Sequence, residues 1–170
     1  MQKDMEVQAN VLGILNAYNY WDEIAFPNWI TFNQLPTPRN ALNLAYSLWH
    51  LLDWIQLDQR HDFIGKSMRE ISEHFVRECS MLGVIHDICT FGKHAKVSRP
   101  KGNVVGTTAE FTGAVLYFGP EGPRSEHPSK FTVSLSDGNE IDLIDVFKEV
   151  IEFWNNYFKI PREAPVKNSQ

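Results

Sequence analysis

Thr37-Pro38-Arg39-Asn40-Ala41-Leu42-Asn43-Leu44-Ala45-Tyr46-Ser47-Leu48-Trp49-His50-Leu51-Leu52-Asp53-Trp54-Ile55-Gln56-Leu57-Asp58-Gln59 decides the fold class. Thr37 can cap a helix, and Pro38 takes the first helical position, where its missing N–H costs nothing. Ala41, Leu44, Ala45, Leu48, Leu51, Leu52 and Ile55 then recur with the helical period. That stripe is wide, so this helix should sit at the centre of the domain.

Upstream, Val7, Val11, Ile14, Leu15, Tyr18 and Ala25 predict an earlier helix over 3–25, stopped by Pro27. Asn28 to Pro36 holds Trp29, Ile30 and Phe32 between breakers and reads as an irregular or partly extended connection. Downstream, Ser67-Met68-Arg69-Glu70 has capping-box form and opens a third helix to about Cys79. Ser80 can cap a fourth, from Met81 to about Ala95, with Met81, Ile85, Ile88, Cys89 and Gly92 inside.

After Pro100 and Gly102 the period changes. Val104 to Phe118 is rich in Val, Thr, Phe and Tyr and alternates as strands do. Gly119 to Pro128, with its Gly and Pro, predicts a mobile loop. Phe131, Val133 and Leu135 alternate with polar residues, and Asp137-Gly138 signals a tight turn into a short strand at Glu140-Ile141-Asp142. Asp142 looks like the cap of a last helix with Val146, Phe147, Val150, Ile151, Trp154, Tyr157 and Phe158 on one stripe. The prediction is an α+β fold in a single domain. It has a helical bundle at 3–97, an antiparallel hairpin or small meander at 103–142, a closing helix at 143–159 and a loose tail at 160–170.

Composition narrows the function classes. The chain has 170 residues, 43% hydrophobic and 12% aromatic, enough for a core without disulfides or a structural metal. Its net charge of -5 argues against extensive DNA binding, which needs an excess of Lys and Arg. No apolar run approaches the ~20 residues that span a bilayer. Met1 to Glu6 has charges of both signs and no signal-peptide core. Cys79 and Cys89 fall in helical patterns, as buried thiols of a reduced compartment do. A soluble, cytoplasmic protein is expected, with no membrane contact.

Chemistry could reside in two helices. His50 and Asp53 are three apart on one face of the Trp49-His50-Leu51-Leu52-Asp53-Trp54 segment. Asp87 and His94, seven apart, share a face of the fourth helix. If the second and fourth helices pack together, these four side chains can converge, and an Asp can orient an imidazole for acid–base work. The plainer alternative is a polar network that fixes helix packing. The cysteines, ten apart, match no zinc spacing, so no metal and no cofactor is expected. The run Lys93-His94-Ala95-Lys96-Val97-Ser98-Arg99-Pro100-Lys101 carries four positive charges and no acid. It can offset a helix dipole or attract phosphate. The five tryptophans read mostly as core, with Trp29 and Trp54 able to line a partner surface instead.

The Trp-His-x-x-Asp-Trp helix followed by an Asp-x6-His helix, over roughly residues 37 to 99, resembles bacterial HEPN-like proteins. The resemblance implies an α-helical bundle that often dimerises. Many relatives of that kind are metal-independent ribonucleases of toxin–antitoxin, abortive-infection or CRISPR systems, and others only bind nucleotides or partner proteins. The nuclease members carry Arg-x4–6-His. Here His94 takes the His place, but the residue seven before it is Asp87, and Arg77 lies too far upstream. A carboxylate there would repel the phosphate that the Arg would stabilise. The resemblance therefore implies, first, a non-enzymatic and homodimeric module binding a partner protein or a nucleotide in bacterial defence or stress. Its binding residues would be His50, Asp53, Lys93, Lys96 and Arg99. The alternative is a ribonuclease with His94 as acid–base, Asp87 orienting it, and Lys93 or Lys96 near the phosphate.

Overall fold

The computed structural model describes residues 11–58, 63–94, 101–113, 115–119, 122–126 and 128–159. The first turn is Val11 to Ile14, closed by backbone bonds between those two residues, with Leu12 and Gly13 at positive φ. Asn16 accepts a hydrogen bond from the Asn19 N–H at 2.8 Å and starts α1 (Ala17–Tyr20). This start lies later than the periodicity implies, because the chain must first leave that turn. Residues 3–10 of the predicted helix lie outside the described residues.

The stop at Pro27 and the irregular connection after it are corrected by the structure. α1 runs into a π-helical turn (Trp21–Ala25) and on into α2 (Phe26–Gln34), with Pro27 in the first turn of α2. Pro27 lacks an N–H and would crowd the carbonyl four residues back. The wider π turn, in which the Phe26 N–H bonds to the Trp21 carbonyl, accommodates it. Phe32, from the stretch expected to be irregular, is 1% exposed in the core.

α3 (Pro38–Leu57) begins at Thr37, whose hydroxyl accepts from the Asn40 N–H at 3.2 Å. Its Leu44, Ala45, Leu48, Leu51 and Leu52 are fully buried, as a central helix requires. α4 (Met68–Glu78) carries the full capping box between Ser67 and Glu70. α5 (Met81–His94) packs antiparallel to α3, which the bare Gly92 permits: a Cβ there would lie 2.7 Å from the Tyr46 hydroxyl.

The β part is a long ribbon. β1 (Val104–Phe111) pairs antiparallel with β4 (Ser129–Leu135), and β5 (Glu140–Asp142) joins the other edge of β4, giving the order β1-β4-β5. Beyond Thr112 and Pro128, β2 (Val115–Gly119) pairs with β3 (Gly122–Glu126). The mobile loop predicted at Gly119–Pro128 is thus corrected: Gly119 and Gly122 are paired, so most of that stretch extends the hairpin by backbone bonding. Gly138, at φ +86, makes the turn into β5. α6 (Leu143–Tyr157), capped by the Asp142 carboxylate on the Ile144 N–H, closes the core. Phe147 meets Phe32 edge-on at 4.9 Å, and Trp154 lies 5.2 Å from Phe75. Among the described residues, no helix is long and apolar enough to cross a membrane.

Candidate functional site

The chain returns from α5 to β1 by lying directly on the α5 backbone. A Cβ on Gly102 would lie 2.2 Å from the Val84 nitrogen, and one on Gly83 would lie 2.8 Å from the Lys101 carbonyl oxygen. Only glycine at both positions allows this approach. One turn along α5, Asp87 meets the returning strand with both oxygens. Oδ1 accepts from the Lys101 N–H at 2.7 Å, and Oδ2 accepts from the N–H groups of Gly102 at 2.8 Å and Val104 at 3.3 Å.

Asp87 is fully buried, and burial pushes its carboxyl pKa up. Bonds from His86 and from the three backbone amides outweigh that and hold it below the ordinary carboxylate value. The ionised carboxylate only accepts, so His86 Nδ1, 2.9 Å from Oδ1, carries the proton. This assigns the tautomer and turns Nε2 away from the carboxylate. The His86 side chain is 21% exposed, enough for a ligand to reach it.

Two further groups complete the cluster. The Trp49 ring meets His86 edge-on at 4.8 Å, and the Lys101 ammonium sits over Trp49 at 5.3 Å. Lys101 Nζ also donates to Ser72 Oγ at 2.7 Å. Burial lowers the Lys101 pKa; Glu73 and Asp87 oppose this in part, and Arg69 adds to it. Ser72 is no activated nucleophile, because its hydroxyl already donates to the Arg69 carbonyl at 2.9 Å. The result is a partly buried aromatic ring beside an oriented imidazole and a cation, with the imidazole and the Lys101 backbone anchored by one buried carboxylate.

The residues singled out from the sequence divide differently. Asp87 serves the 101–104 backbone and His86; among the described residues no hydrogen bond joins it to His94. His94 and Lys93 are exposed in the last turn of α5. Lys96 and Arg99 lie outside the described residues. His50 and Asp53 are exposed on α3, the His50 ring stacked 6.3 Å from Tyr46. Partial desolvation of its carboxyl raises the Asp53 pKa, and His50 partly offsets the rise.

The expected convergence of His50, Asp53, Asp87 and His94 does not form, and helix direction is the reason. Leu42 and Tyr46 of α3 face Gly92, while Trp49 faces His86. The end of α5 therefore points to the start of α3, and Asp53 lies about 16 Å along α3 from Leu42. Sequence reasoning missed His86, Trp49 and Ser72 as members of a site, and saw Lys101 only as part of the basic run. The adjacent His86-Asp87 pair was the available signal, but neighbours in a helix point about 100° apart and do not read as partners. Trp49, expected in the core, is only partly buried.

Among the described residues, no group of three His, Cys, Asp or Glu side chains could hold a metal ion. No protein-family model, no curated protein and no solved structure matches the chain, so what this site can do follows from its own geometry.

Proposed function

We propose that this chain is a HEPN-like, non-enzymatic module that binds a nucleotide or the phosphate backbone of a short RNA. The observation that carries the reading is the Asp87 carboxylate, which fixes His86 and the Lys101 backbone beside the partly buried Trp49 ring. Such a ring can stack on a base and the Lys101 ammonium can contact phosphate, while the unprotonated His86 Nε2 can accept from a ligand hydroxyl or amino group. Lys101 has three donors and uses one on Ser72, which leaves capacity for an anion. Lys93 is seven residues from His86 on α5, about two turns along the same face, and extends the cationic track. Homodimerisation and a role in bacterial defence or stress belong to the same proposal and rest on the family resemblance.

The ribonuclease reading keeps one specific observation in its favour, an imidazole held by a carboxylate. That imidazole is His86, not His94.

Binding of a fluorescein-labelled oligoribonucleotide, followed by anisotropy across a salt series, tests the proposal. Affinity should fall with salt, and Lys101→Met should weaken binding while its backbone bond to Asp87 keeps the fold. Equal affinity of Lys101→Met and wild type would discard the site. Cleavage of the same RNA without metal, comparing wild type with His86→Ala and His94→Ala, decides between binding and chemistry. Turnover lost in either variant would replace the binding reading with the nuclease.

A further inference from the structure

On another part of the surface, the Val11–Ile14 turn, α1, the π turn and the end of α3 enclose a groove of about 510 Å³. Leu12, Ile24, Tyr20 and Trp54 form much of its wall, and Glu23 stands in the lining. Two features are unusual for a surface with no partner. Leu12 is 100% exposed at the tip of the turn and holds φ +54, a conformation that a leucine adopts at a cost. Val11 and Ile24, also in the lining, are exposed at 56% and 37%. An apolar patch of this kind with a polar rim marks an interaction surface.

The electrostatics choose the occupant. Tyr20 and Trp54, both in the lining, stack on each other at 5.5 Å and 25°. Glu23 is exposed within the lining, and Asp53, exposed next to Trp54, acts electrostatically on Tyr20. Among the described residues, no Lys or Arg lines the groove. Apolar walls, stacked aromatic rings and carboxylates together suit an apolar anchor followed by an ammonium or guanidinium group. We infer that this groove docks a basic amphipathic segment of a partner protein, with an apolar side chain against Leu12 and Ile24 and a Lys or Arg between Glu23 and the Tyr20–Trp54 pair. The inference is independent of the phosphate site proposed above.

The test uses the full chain and two fluorescein-labelled peptides of equal length and pattern, one Leu–Lys and one Leu–Glu, read by anisotropy. The Leu–Lys peptide should bind saturably and the Leu–Glu peptide should not. Glu23→Lys should weaken the Leu–Lys peptide about tenfold. Glu140→Lys, exposed on β5, changes net charge equally and should leave the affinity within about twofold. Leu12→Asn, which suits a positive φ and keeps the fold, should also weaken binding. Failure of the Leu–Lys peptide to bind, equal binding of the two peptides, or equal loss in Glu23→Lys and Glu140→Lys would each overturn the inference. So would a dimer that both Glu23→Lys and Leu12→Asn dissociate in sedimentation, since a second copy would then fill the groove.

Discussion

Asp87 Oδ2 and the backbone nitrogen of Gly102 lie 2.8 Å apart, and this contact joins the helical part of the molecule to its β ribbon. Asp87 bonds two further amides of the same strap, so one side chain replaces the ladder that a strand would otherwise supply. Removing it would leave one buried and two partly buried amide donors without partners. Asp87→Ala should lower unfolding free energy by on the order of 3–4 kcal/mol, because each orphaned buried donor costs about 1–3 kcal/mol. The urea midpoint measures this. A change under about 1 kcal/mol would show that the strap holds by packing alone.

Glycine at 102 is a steric requirement, in contrast to glycine at 106. A Cβ at Gly102 meets backbone atoms of Gly83 and Val84 within 2.5 Å, whereas one at Gly106 meets nothing within 4 Å. Gly102→Ala should destabilise by about 2–3 kcal/mol through overpacking. Gly106→Ala should be nearly neutral. Paired thermal melts of the two variants make the comparison.

Acid should weaken the fold through Asp87. Its folded-state pKa lies below the unfolded value of about 3.9, so its stabilisation is complete above that value and is lost as pH falls through the folded one. Asp53 has the opposite sign: its raised pKa means that protonation on acidification relieves a destabilisation. Denaturation curves between about pH 6 and pH 2.5 should show the Asp87 loss in wild type, with a flatter slope in Asp87→Asn and a steeper one in Asp53→Asn.

Base acts through Tyr20. Burial, then Asp53 and Cys89, push its hydroxyl up to about 12, above its ordinary value of 10.0. The neutral phenol therefore favours the folded state, and that contribution is lost as pH rises through about 12. An ultraviolet titration should show one late tyrosine transition that is absent in Tyr20→Phe. Its persistence in Tyr20→Phe would assign it to another residue.

The capping box can be tested by itself. Ser67 accepts from the Glu70 N–H, and the Glu70 carboxylate bonds the Ser67 N–H at 2.9 Å. Ser67→Ala should reduce stability by about 1 kcal/mol. Hydrogen exchange in the first turn of α4 should rise in parallel.

Sequence by itself determined the α+β class, the central helix, three helix starts and the hairpin turn at Gly138, since each follows from local rules. Thr37, Ser67 and Asp142 cap because their oxygens reach amides two or three residues away, and the stripe of α3 is an intrinsic period. Tertiary structure alone decided the passage through Pro27, where a π turn keeps Trp21 and Phe32 in one core. It also decided the site. Asp87 reaches residues 14 to 17 positions away, and Trp49, Ser72, His86 and Lys101 meet only because α3, α4 and α5 pack around the strap. Periodicity reports which face a residue occupies; which distant backbone will lie against that face depends on helix direction and on the two glycines that let the chain come close.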